Sequence, residues 1–80
     1  MPVLVRYFAG ARAAAGVAEE KVDASQVDEL VAALGQRHGP RLAAVLDASS
    51  LLLDGLAVRD RTIAVPDGAT VEVLPPFAGG

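Results

Sequence analysis

The residues with the most chemical promise stand at the carboxyl end: Pro75, Pro76, Phe77, Ala78, Gly79 and Gly80. Pro75 and Pro76 have no amide hydrogen to give a neighbouring strand, and each holds the residue before it extended. The chain must therefore leave any sheet at this point. At about 3.3 Å per residue, such an arm reaches roughly 20 Å, enough to carry a terminal carboxylate into a partner's buried site while the globule stays outside. Gly79 and Gly80 lack a Cβ, so they fit a channel closed to other residues and let a partner's backbone and a nucleotide approach the last carbonyl. Phe77 is the aromatic anchor such an arm would set into a partner's groove.

With Gly80 read as the carboxyl end, its carboxylate is the reagent. An ionised carboxylate resists nucleophiles, so it must first be joined to a good leaving group. Adenylation by ATP makes an electrophilic acyl carbon, a persulfide attacks it, and a thiocarboxylate results. The chain contains no cysteine, so it offers no thiolate nucleophile, no disulfide and no Cys-based metal site, and any sulfur must come from elsewhere. A surface tail ending in two glycines is also what a frayed terminus looks like. The double proline, the lone Phe77 and the bare glycine end together favour the reagent.

Other candidates carry less. His38 has no partner nearby in sequence and reads as structural, near a helix end where a cation is favoured. Glu19-Glu20 and Asp28-Glu29 read as a solvated edge and helix-start charges rather than acid–base groups. No metal site is expected. Arg6, Arg12 and Arg59 read equally well as surface charges or as contacts to an acidic partner.

The elements that must position the tail follow from patterning. Residues 3–8 alternate Val3, Val5 and Tyr7 against Leu4, Arg6 and Phe8, a strand close to the sheet centre. An alanine-rich connector of a helical turn or two ends at Gly16 in a left-handed cap. Residues 19–23 form a polar edge strand, antiparallel to the first. Ser25 reads as a helix cap accepting from the Asp28 amide, and Val27, Leu30, Val31 and Leu34 make one apolar stripe before Gly39-Pro40 ends the helix. Pro40 can open a second, brief helix over residues 41–46. Asp54-Gly55 turns a hairpin between residues 51–53 and 56–58, Pro66-Asp67-Gly68 makes another turn, and residues 70–74 are the last strand.

The order strand, strand, helix, strand, strand predicts an α+β protein of the β-grasp, or ubiquitin-like, type: a mixed sheet of four to five strands with one main helix across a face. Residues 1–74 make the domain and residues 75–80 the extended tail. Hydrophobic residues are 52% of the chain, which suits one soluble core. Ten acidic against seven basic residues, with no basic run, disfavour nucleic acid as a partner. No apolar stretch approaches a bilayer span, and the start lacks a signal sequence, so no membrane partner and a cytoplasmic location are expected.

Residues 3–9 (Val-Leu-Val-Arg-Tyr-Phe-Ala) with Arg12 and Gly16, the Asp54-Gly55 turn, and the ending from Asp67-Gly68 through Val71 to Gly80 resemble the MoaD family, the small subunit of molybdopterin synthase. That family lies within the MoaD/ThiS sulfur carriers. The resemblance covers essentially the whole chain, and its specific part is the Pro-Pro-x-Ala-Gly-Gly ending. Phe77 stands where a smaller Val is common, and Ala69 follows Gly68 where an acidic residue is frequent. The resemblance implies a non-catalytic carrier with no resident cofactor. Its Gly80 would be adenylated with ATP by a MoeB-like enzyme, loaded by a sulfurtransferase, and inserted into a MoaE-like large subunit that makes the molybdopterin dithiolene. Thiamine or cysteine biosynthesis, or conjugation to lysines as a ubiquitin-like modifier, remain alternatives at this point.

Overall fold

The computed structural model describes residues 2–76; Met1 and residues 77–80 lie outside the described residues. The elements in chain order are β1 (Val3–Tyr7), α1 (Ala9–Ala15), β2 (Glu19–Val22), α2 (Val27–His38), α3 (Pro40–Ala48), β3 (Ser50–Leu53), β4 (Leu56–Ala57) and β5 (Thr70–Leu74). The strands form one sheet in the order β2-β1-β5-β3-β4. β1 and β5 run parallel, while β2 on β1, β3 on β5 and β4 on β3 are antiparallel. This is the mixed β-grasp sheet with helices packed across it.

The alternation in β1 turns Val3, Val5 and Tyr7 inward, where they meet Val71 and Val73 of β5. Against this face lie Leu30 and Leu34 of α2 and Leu42 and Leu46 of α3, all buried. Burying each such side chain contributes about 1.5–3 kcal/mol, so this face is where the fold gains its stability. α3 has nine residues against the twelve of α2, longer than the brief helix expected over 41–46, and Gly35 lets the two cross closely: a Cβ there would come within 3.2 Å of the Ala43 Cβ. Gly39, at φ 103, ends α2, and Pro40 opens α3 at its first turn.

The start of α2 differs from the sequence reading. The cap residue is Gln26, with no side-chain cap bond, and not Ser25. The Asp28 amide donates to the Arg61 carbonyl at 2.7 Å and the Val27 amide to the Ile63 carbonyl at 3.1 Å. A loop carrying the bridge between Gln26 and Ala64 thus reaches the helix start before any hydroxyl can. Ser25 instead donates its own amide to Glu29 Oε1 at 3.1 Å. The other turns stand as read. Gly16 is left-handed at φ 79. Asp54 and Gly55, at φ 48 and 85, turn the hairpin.

Candidate functional site

The tail is rooted at the end of the sheet's middle strand. β5 lies between β1 and β3, with Val73 in register with Tyr7 and Leu74 with Ser50. Along the parallel ladder, Leu4 donates to Ala69 at 2.9 Å and Phe8 to Val73 at 3.2 Å. The next donor in that register would be residue 75, a proline, so the ladder stops there for want of an N–H. The Phe8 carbonyl, left without that donor, accepts instead from the Ala11 and Arg12 amides at 3.1 and 3.4 Å and so opens α1. One proline both ends the ladder and leaves a carbonyl for the neighbouring helix. Pro75 is half-buried and Pro76 exposed. The remaining expected site residues, Phe77, Ala78, Gly79 and the reagent Gly80, lie outside the described residues.

On the inner face of β1 and β2, reaching the root through Tyr7 beside Val73, sits a polar cluster that sequence reading did not assemble. Tyr7 donates its hydroxyl to Glu20 Oε2 at 2.6 Å, and Arg37 donates Nη1 to Glu20 Oε1 at 2.8 Å. His38 Nε2 bonds to Glu20 Oε2, and its ring meets the Tyr7 ring edge-on, with centroids 6.2 Å apart. The Glu20 side chain is only 14% exposed, which corrects its reading as part of a solvated edge; His38, read as lacking a partner, is 16% exposed. Burial works to raise the Glu20 carboxyl, but hydrogen bonds from Tyr7, Arg37 and His38 outweigh it and hold the group below its ordinary range. For Tyr7, burial first, then the bond and charge of Glu20, push the phenol well above its usual range. A signal was present: Val22 faces the core, and strand alternation puts Glu20, two residues earlier, on the same face.

The opposite face of the sheet is open. Arg6 ion-pairs with Glu19 at 3.6 Å, and its guanidinium lies 5.8 Å from the Phe8 ring centroid, so this arginine is engaged within the chain. Arg12 borders an open cleft of about 430 Å³, lined also by Ala9, Ala13, Gly16, Val17 and Ala18. Arg59 is exposed in its loop. Neither of these two lies in the cluster around Glu20. Among the described residues, no group of three or more His, Asp or Glu is placed to hold a metal ion, and no helix is long and apolar enough to cross a membrane.

Comparison with known proteins places this geometry. The model of the ThiS family matches residues 5–80. No curated protein matches the chain in sequence. Among solved structures, SAMP1 from Haloferax volcanii is similar at 25% identity and a TM-score of 0.86, with 100% of both chains covered. A Pyrococcus furiosus protein, provisionally assigned as molybdopterin converting factor subunit 1, is 27% identical with a TM-score of 0.84, covering 96% of this chain and 99% of that one. A Helicobacter pylori complex of subunits 1 and 2 of molybdopterin-converting factor contains a chain 25% identical, with a TM-score of 0.76 and 100% of both chains covered. A family match that runs from the first strand to residue 80, on a β-grasp sheet whose middle strand ends before Pro75, leaves one conclusion: the chain belongs to the ThiS family and is a ubiquitin-like sulfur carrier of the MoaD/ThiS type.

Proposed function

We propose that the protein is the sulfur-donating small subunit of a molybdopterin synthase, acting through a Gly80 thiocarboxylate in the cytoplasm. The observation that carries this reading is the exit of the chain from the middle strand through Pro75 and Pro76, within a family match that extends to residue 80. A root held on both sides by β1 and β3 keeps the globule fixed relative to the arm, which a partner needs if it is to receive the terminal carboxylate in a deep site. Phe77 to Gly79 supply the anchor and the narrow segment, and Gly80 supplies the reacting carbon.

In the proposed cycle a MoeB-like enzyme joins the Gly80 carboxylate to AMP from ATP, with loss of pyrophosphate. Persulfide sulfur from a sulfurtransferase attacks the acyl carbon and expels AMP, and a thiol then cleaves the acyl disulfide to leave the thiocarboxylate. A MoaE-like large subunit receives the tail and performs the transfer to a pyranopterin. The carrier contributes the reagent and the partner the active site. The Helicobacter pylori neighbour, whose subunit 1 is held in a complex with subunit 2, supports a protein partner of this kind. Similarity to SAMP1, a small archaeal modifier protein, supports a second reading in which the same activated carboxyl is conjugated to lysines.

Mass spectrometry of the protein from its own cell separates the two. A gain of about 16 Da at the terminus marks exchange of oxygen for sulfur, and lysine adducts mark conjugation. Deleting Gly80, or replacing Gly79 by a bulky residue, is expected to leave folding intact and abolish thiocarboxylate formation. Normal sulfuration of such variants refutes the assignment.

A further inference from the structure

The cluster around Glu20 joins three elements to one carboxylate. Tyr7 is the last residue of β1, Glu20 lies on the edge strand β2, and Arg37 and His38 close α2. Arg37 adds a bond from Nη1 to the Lys21 carbonyl at 3.3 Å, so the helix end grips β2 by backbone as well as side chain. The Tyr7 amide donates to the Ala18 carbonyl at 2.9 Å, tying the same point of β1 to the segment that leads into β2. Glu20 is thus the acceptor on which a sheet edge, a helix end and the end of β1 all converge.

That end of β1 is also what holds the tail root on one side. Tyr7 is in register with Val73, and the Phe8 amide makes the last bond of the ladder, to the Val73 carbonyl at 3.2 Å. It is longer than the 2.9 Å bond from Leu4 to Ala69 at the other end of the ladder, and Pro75 follows with no donor to reinforce it. β3 holds the other side of β5 through Ser50 and Leu74. With one side paired to β3 and the β1 side ending on the Phe8 bond, the last of a ladder that spans Leu4 to Tyr7, the tilt at which the chain leaves the sheet depends on where β1 ends.

We propose that Glu20 is a positioning residue for the tail: by fastening Tyr7 to α2 it fixes the end of β1, and through β1 the direction in which the chain departs at Pro75. The proposal takes its purpose from the carrier reading and its geometry from this cluster alone. A charge-assisted acceptor shared by three donors is stronger than a neutral one, and a glutamine in its place cannot serve all three.

The test is residue-resolved amide exchange by NMR on the full chain and on Glu20→Gln. Exchange of the Phe8 amide should accelerate by about tenfold to hundredfold, the range for losing a hydrogen bond to a charged group, while the Leu4 amide in the same ladder stays within about twofold of wild type. Equal acceleration of Phe8 and Leu4, or none at Phe8, overturns the proposal, since a contribution to global stability alone moves both together. If Glu20→Gln does not fold, Tyr7→Phe, which keeps the ring and removes only its bond to the carboxylate, is read by the same two amides with the same two outcomes.

Pyrophosphate release during adenylation of the full chain by its own cell's MoeB-like enzyme gives the functional readout. For the variant, KM for the carrier should rise about tenfold with kcat unchanged, because the chemistry at Gly80 is untouched. An unchanged KM with fast Phe8 exchange overturns the link to the tail. Failure of the wild-type chain to be adenylated refutes the carrier reading, and the exchange comparison still decides the role of Glu20.

Discussion

Arg61 is expected to be the loop residue on which the helical layer depends most. Its Nη2 donates to the Leu46 and Ser49 carbonyls, both at 3.0 Å, at the end of α3. Its own carbonyl receives the Asp28 amide at 2.7 Å at the start of α2. Replacing Arg61 by Met keeps the apolar stem and the backbone bond but removes the guanidinium. Hydrogen bonds to a charged group are each worth about 1.5–3 kcal/mol. The Leu46 carbonyl retains the Ser49 amide at 3.2 Å, so it is not orphaned and the loss falls mainly on Ser49. The net cost is therefore near the value of one such bond, about 2 kcal/mol. For a domain of this size that lowers Tm by roughly 8–16 °C, since each kcal/mol moves it by about 4–8 °C. Thermal unfolding of Arg61→Met beside Arg59→Met, an exposed neighbour, measures the difference. If both variants stay within about 0.5 kcal/mol of wild type, water serves the end of α3 as well as Arg61 does, and the reasoning fails.

Two further outcomes follow from the same geometry. The Glu20 carboxyl is held below its ordinary value in the folded chain, so it contributes stability that is present above the unfolded-state value near 4.5 and is lost as pH falls through its lower folded value. Urea midpoints measured from pH 6 downward should fall less steeply with acid in Glu20→Gln than in wild type. Asp54, at φ 48, accepts the Thr70 amide on Oδ1 at 2.8 Å, so Asp54→Ala should cost about 1–2 kcal/mol by losing the bond and straining the turn, and Asp54→Gly less, because glycine relaxes the turn. Chemical denaturation of the two variants gives the order, and a reversed order removes backbone strain from the account.

Strands, helices and turns were legible because their signals are local. Val3, Val5 and Tyr7 announce β1 by alternation, Leu30 and Leu34 announce α2 by helical spacing, and Asp54-Gly55 announces its hairpin by the backbone angles it tolerates. What was missed is non-local. Ser25 has the chemistry of a cap, yet the Asp28 amide was already taken by Arg61, a residue far along the chain that no short window brings near. The pairing of Glu20 with His38 and Tyr7 depends on β2 lying beside β1 with the end of α2 over both. Only the inward turn of Glu20 could have been read, from Val22 two positions later.

The same division separates reagent from scaffold in this molecule. A carrier's chemistry can be written in a few consecutive residues, because the partner supplies the pocket, the nucleotide and the catalytic groups, and the chain must only bring a carboxyl carbon without obstruction. Presenting that carbon is a different task. It requires a strand end that does not swing, and a sheet fixes a strand end only through its neighbours. Placing β5 between β1 and β3 meets that need, and Pro75, right after Leu74, ends its ladder with β1. On the β1 side the ladder then ends on the bond from Phe8 to Val73. That end of β1 carries Tyr7, which the cluster of Glu20 and His38 ties to α2, and this is the brace proposed for Glu20.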